Sequence, residues 1–233
     1  MFGLPLTCTR IGATFFLGGR MPNWCDNKLT VSGPEEEIRA FVEKAKGKDH
    51  KFVGPFNSIG REREIDWEDF TPIRLDILLE GDPDFFLTED ESPFSFHALV
   101  PVPKWVAIAP YDEGVFEKRK AEYSEWFSKF PHIMCGYHWE IENWGVKWGA
   151  SDPQVVGLIL DGEDSEVIYS FLTPWNQPER FLSTVSEKFP RLNFFLQYSE
   201  EGMGYSGEIE WEGGVQISSN EWELERASED DEE

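Results

Sequence analysis

Residues 166–199 read EVIYSFLTPWNQPERFLSTVSEKFPRLNFFLQYS, and three hydrophobic patterns follow one another inside them. Val167, Tyr169 and Phe171 recur at every second position, the signature of a strand with one buried face. Pro178 then opens a helix, because a missing N–H costs nothing in a first helical turn. Phe181, Leu182, Val185 and Phe189 fall on one helical stripe before Pro190 stops it. Leu192, Phe194, Leu196 and Tyr198 restore the alternation over 192–199. The stretch is therefore a strand–helix–strand unit. A tight Gly202-Met203-Gly204 turn leads on to 205–211, where Tyr205, Ile209 and Trp211 alternate with Ser206, Glu208 and Glu210.

The same order recurs upstream. Leu29 and Val31 mark a short strand over 28–32, and Gly33-Pro34 opens a helix over 34–46. Glu35, Glu36 and Glu37 complement its positive end, Ile38, Phe41, Val42 and Ala45 form its stripe, and Lys44, Lys46 and Gly47 close it. Phe94, Phe96, Ala98 and Val100 alternate over 94–100 until Pro101 and Pro103, which predicts a second strand. Two such halves build an α+β, ferredoxin-like (βαββαβ) domain: an antiparallel sheet with two helices on one face. Strands 28–32 and 166–172 are expected side by side at its centre, with 205–211 as an extra hairpin strand. One domain over 21–220 results, with insertions at about 48–93 and 101–164. In the second insertion Phe116, Tyr123, Trp126, Phe127 and Phe130 predict a helix ended by Pro131. Residues 1–20 are a poorly patterned extension, and 221–233 an acidic tail expected to be disordered.

Charge narrows the partners. The chain carries 45 acidic and 21 basic residues, a formal net charge of −24. Residues 221–233 hold eight carboxylates and one arginine, so removing their net −7 leaves −17 on the body. Such a field repels phosphate backbones and anionic membranes, which disfavours direct nucleic-acid binding, and it attracts a basic partner. Cys8, Cys25 and Cys135 are too few and too scattered for a disulfide framework and suit a reducing cytoplasm. No stretch approaches the ~20 apolar residues of a membrane helix.

Four segments carry a family resemblance: Met21-Pro22-Asn23-Trp24-Cys25-Asp26-Asn27, Ala98-Leu99-Val100-Pro101-Val102-Pro103, Glu142-Asn143-Trp144-Gly145-Val146-Lys147-Trp148 and Gly202-Met203-Gly204-Tyr205-Ser206-Gly207. Together they resemble the YubB-like ferredoxin-like domain family across residues 21 to about 212. The resemblance implies a protein of the kind carried by phages and plasmids in a bacterial host, with no agreed catalytic residues. Where family members often have Thr, this chain has Val146.

Asn143, Trp144, Lys147 and Trp148 place indoles, an amide and a cation within six residues, and Asn23 and Trp24 repeat the amide–indole combination. One reading is a Trp-lined cleft that binds a small molecule, with Lys147 holding an anion. The other is that these aromatics anchor an insertion to the core, Asn143 satisfying a buried indole N–H. His132-x-x-Cys135-x-x-His138 has metal-like spacing but lacks a nearby fourth ligand, so no metal or other cofactor is expected. Neither Cys25 nor Cys135 lies in a recognised nucleophile signature. The Asp161–Glu166 acidic run lacks calcium-loop spacing and reads as a solvated turn. No phosphate-binding glycine loop is present. The expectation is a non-catalytic interaction protein engaging a basic host partner, in the manner of a nucleic-acid mimic. The small-molecule cleft is the alternative. RNA binding through sheet residues such as Phe195 and His97 comes third, for want of a basic cluster.

Overall fold

The computed structural model describes residues 23–51, 86–107, 109, 111, 113–122, 124–128 and 134–224. Its core begins with β1 (Trp24–Gly33), in which Cys25, Asn27, Leu29 and Val31 point into the protein and Asp26 and Lys28 point out. Helix α1 (Glu35–Ala45) follows at once, its Ile38, Phe41 and Ala45 buried and its three leading glutamates in the first turn. Pro34 occupies the cap position, and its carbonyl accepts from the N–H groups of Glu37 and Ile38.

A six-stranded antiparallel sheet organises the rest. Its strands are β4 (Ser151–Ile159), β5 (Ser165–Pro174), β6 (Asn193–Glu200), β7 (Tyr205–Glu212) and β8 (Val215–Glu223), with β1, in the order β4-β5-β1-β6-β7-β8. β1 pairs with β5 through Leu29 opposite Tyr169, and with β6 through Leu29 opposite Leu196. The predicted central pair is thus in place. The last long helix (Glu179–Lys188) links β5 to β6 and buries Phe181, Leu182 and Val185. The four strands β4-β5-β1-β6 with these two helices are the ferredoxin-like arrangement, and β7 and β8 extend it at one edge.

The second strand of the first half is not 94–100. Ser95 accepts a hydrogen bond from the Ala98 N–H and caps a one-turn helix, α2 (Phe96–Leu99). Phe94, Phe96, Leu99 and Val100 are all buried, which a one-sided strand would not allow. The segment is enclosed from several directions: Phe94 stacks on Tyr169 at 4.6 Å, and Phe96 stacks on Phe181 at 3.7 Å. β4 fills the vacant edge instead. One long excursion between α1 and β4 therefore replaces the two predicted insertions, and the β4–β5 link is a short 3-10 turn (Gly162–Asp164) with exposed acidic residues.

That excursion contains a two-stranded sheet of β2 (Gly47–His50) and β3 (Leu87–Ser92). α3 (Lys104–Ala107), α4 (Glu113–Glu122), α5 (Ser124–Phe127) and α6 (Gly136–Asn143) follow, and the helix after β5 becomes α7. The single helix expected around 116–130 is two helices whose Phe116 and Phe127 rings meet at 5.6 Å. Tyr123 and Phe130 lie outside the described residues, as do residues 1–20. Part of the segment read as a tail is a strand. β8 runs to Glu223, three residues into it, because backbone pairing with β7 from Tyr205 opposite Glu223 to Glu212 opposite Val215 holds this polar edge. Residues 225–233 lie outside the description.

The two principal helices share one face of the sheet and touch through Phe41 and Phe189, whose rings lie 5.2 Å apart. α2 packs beside them, and Lys188 Nζ donates to the Leu99 carbonyl at 2.7 Å.

Candidate functional site

The Trp-rich segment after α6 splits into a buried and an exposed part. Trp144 has no exposed surface. Its Nε1 donates to the Val100 carbonyl at 3.2 Å, and its ring meets Phe96, Trp139 and His50 edge-on. Asn143 does not reach that indole; its amide donates to the Trp139 carbonyl one turn back at 2.8 Å. Trp144 anchors the excursion to the core. Beyond it Gly145 at φ 81° turns the chain outward, and Trp148 emerges with 47% of its surface exposed.

A buried carboxylate sets that turn. Glu140 on α6 is fully enclosed; one oxygen accepts from the Trp148 N–H at 3.0 Å and from the Tyr111 hydroxyl at 2.9 Å, while the other faces His50 Nε2 at 3.2 Å. A buried carboxylate needs such partners, since removing it from water costs several kcal/mol otherwise (on the order of the penalty for a lone buried ion). His97 stacks against His50 at 5.7 Å and accepts the Val102 N–H on Nδ1 at 3.0 Å. Burial, reinforced by His50, pulls the His97 pKa down to about 4. Burial, and then the Glu140 carboxylate, push the Tyr111 phenol up. Sequence reading missed this cluster. Its one signal was Glu140 standing between Trp139 and Ile141, an acid among residues that seek the core.

At the end of the sheet a second exposed indole joins the first. Trp175 follows β5 directly, is 37% exposed, and adopts φ 74°. Its N–H donates to the Asn23 carbonyl at 2.9 Å, and its carbonyl accepts from the Tyr205 hydroxyl at 2.7 Å. The buried Asn27 amide donates to Thr173 Oγ1, which donates in turn to the Asn176 carbonyl at 2.6 Å, so a polar chain from β1 fixes this loop. Trp24, half-buried, sits opposite Pro174 in the β1–β5 register. Lys147 Nζ lies 4.0 Å from the Trp148 ring centre and 6.0 Å from that of Trp175. Its pKa is lowered by desolvation, against an opposing pull from Glu140. Of the predicted residues, Lys147 and Trp148 therefore meet, and the Trp175 N–H ties that end of the sheet to the Asn23 carbonyl. Trp144 and Asn143 stand apart from the exposed group. Trp175 was missed because a lone aromatic before a helix-opening proline reads as linker.

The remaining chemical candidates among the described residues are buried or solvent-facing. Burial, with help from the Glu200 and Asp26 carboxylates, raises the Cys25 thiol to about 12, far from the thiolate a nucleophile needs. Cys135 is buried, His138 is half exposed with Nε2 3.6 Å from Glu113, and His132 is outside the described residues. Among the described residues no three metal-ligating side chains gather, and no helix is long and apolar enough to cross a membrane.

The sheet face turned away from the helices has a different character. Glu208, Glu210 and Glu212 alternate along β7 while Ile209 and Trp211 point inward. Asn220 donates to Glu208 at 3.2 Å, and Asn193 and Ser218 donate to Glu210 at 2.6 and 3.3 Å. Lys28 is the single cation within the six strands. Phe195 lies half-buried on this face, whereas His97 is not in the sheet at all. Two open clefts repeat the acidic theme. One of about 460 Å³ sets Glu163, Asp164, Glu166 and Glu212 around Arg191. The other, of about 660 Å³, is lined by Asp49, Glu89, Asp90, Glu91 and Asp152 with Lys51.

The C-terminal part matches a known family model. Residues 143–233 fit the one described as the ferredoxin-like domain in Api92-like protein. A solved structure, the protein api92 from Yersinia pseudotuberculosis, aligns with 11% identity and a TM-score of 0.49, covering 89% of this chain and all of that one. Among curated proteins none matches. The family model agrees with the ferredoxin-like topology and carries no activity. Its residues supply β4 to β8 and α7, while β1, at the middle of the same sheet, lies before them in sequence.

Proposed function

We propose that the chain is a non-catalytic interaction protein of a mobile element, working in the cytoplasm of a bacterial host. It meets a basic protein surface with the uncovered face of its sheet. The observation that carries this reading is the row Glu208, Glu210 and Glu212 on β7, two of them held by amide donors, on a sheet whose strands contain Lys28 as their single cation. Alternate residues of a strand stand about 7 Å apart. Carboxylates fixed at that spacing form a regular anionic line without losing rotamer freedom on binding. The resemblance of residues 21–212 to YubB-like domains supports the mobile-element setting, and a partner that ordinarily grips phosphates fits the charge pattern.

The test is affinity capture from bacterial lysate with the parent chain and the triple variant E208Q/E210Q/E212Q, at low and high salt. A basic, nucleic-acid-binding protein retained by the parent at low salt, released at high salt and displaced by added DNA is the expected result. The triple variant should lose it while keeping its circular dichroism. Equal capture by parent and variant would remove the sheet face from the interaction.

A further inference from the structure

We infer that Lys147, Trp148 and Trp175 form a binding site for a planar aromatic anion of the nucleoside monophosphate class. The molecule buries Trp139, Trp144 and Trp211, so two exposed indoles around one ammonium stand out. Both indoles also sit on backbone that disfavours them. Trp148 has φ 69° and Trp175 φ 74°, and Asp152 is the one other non-glycine residue with positive φ among those described. Bulky side chains avoid this left-handed region, which glycine enters freely. The strain is held in place by the buried Glu140 carboxylate on the Trp148 N–H, and by Asn23 and Tyr205 on the two backbone groups of Trp175. Strained backbone held by several independent hydrogen bonds is a mark of functional positions.

The chemistry of the group selects the ligand. Indole faces stack with aromatic rings of any base, and the Lys147 ammonium, partly withdrawn from water, supplies a charge-assisted contact to a phosphate. A ligand cation is disfavoured, because Lys147 Nζ already lies 4.0 Å from the Trp148 ring centre, which leaves the Trp175 ring and the opposite Trp148 face to a base. A long nucleic-acid strand is disfavoured as well. Its further phosphates would meet a chain of net charge −24, whose exposed Glu142 and Glu179 lie close in sequence to the two tryptophans, with Arg180, bonded to the Glu142 carbonyl, as the neighbouring cation. One phosphate fits the one lysine.

Calorimetric titration and thermal melts of the full chain with AMP, UMP, adenosine and uridine test the site. The monophosphates should bind one per chain and raise Tm, with the nucleosides at least tenfold weaker. Trp148→Gly and Trp175→Gly should keep or raise the Tm of the unliganded chain, since glycine relieves the left-handed strain, yet weaken AMP at least tenfold. Lys147→Gln should reduce the monophosphates to nucleoside affinity, and Trp222→Ala, exposed on β8, should change nothing. No binding of AMP or UMP up to roughly 10 mM would overturn the assignment. So would unchanged binding by the glycine variants, or a marked fall in Tm in both of them, which would make the indoles packing elements. Tighter binding of an oligothymidine than of any monophosphate would overturn the restriction to a free nucleotide.

Discussion

Phe41 has no exposed surface and meets three rings edge-on: Tyr169 at 6.1 Å, Phe189 at 5.2 Å and Phe194 at 5.5 Å. It joins α1, the end of α7 and strands on both sides of β1, so its removal leaves a cavity that none of them can fill alone. Phe41→Ala should cost about 3–5 kcal/mol. Phe189→Ala should cost less, because that ring is only half-buried at the helix end. Denaturant melts would show it, and two curves overlying the parent's would contradict the packing described. Tyr169, Phe94 and Phe181 continue the same aromatic stack toward α2. Among the described residues, Phe41, Phe94, Phe181 and Phe194 thus join helices to sheet.

At the scale of elements, β1 decides whether the domain exists. It is hydrogen-bonded on both sides, to β5 and to β6, and nothing else described bridges those strands. A fragment of residues 143–224 should therefore stay unfolded or aggregate alone, although it contains five of the six strands. A synthetic 23–33 peptide added in trans should increase its ordered circular dichroism. A fragment that melts cooperatively without the peptide would refute this. Elements buried on one side, β1, α1, β5, α7, β6 and β7, were legible in the sequence to within a few residues, since one-sided burial writes a regular period. The failures have the opposite cause. Segment 94–100 alternates as a strand would, yet it is buried from several sides, Leu99 as well as Phe96 and Val100, and the Ser95 cap turns it into one helical turn. β4 exposes Val155, Val156, Leu158 and Ile159 and is interrupted by register shifts, so no buried face imposes alternation on it. Lys147 and Trp148 could be named from sequence as a candidate site. Trp175, Tyr205 and Glu140 could not, because only the folded sheet end brings them to that place.

Across the whole molecule, net charge governs both solubility and stability. A chain at −24 repels itself, and the acidic row of β7 and the two acidic clefts concentrate that repulsion locally. Added sodium chloride should raise Tm by screening it, and the E208Q/E210Q/E212Q variant should start from a higher Tm and respond less. A parent Tm that does not move or falls with salt would mean that ion pairs such as Arg191 with Glu36 and Glu37 outweigh the repulsion. The central position of β1 also has a consequence during synthesis. Leu29 leaves the ribosome well before its partners Tyr169 and Leu196, a delay of roughly 10–30 s at elongation rates of about 5–20 residues per second. Throughout that interval the nascent chain displays an apolar strand with two open edges and nothing to pair with. Its production in a cell therefore depends on whatever shelters nascent chains, and an increased load on those chaperones should lower its yield before it affects proteins whose strands pair with near neighbours.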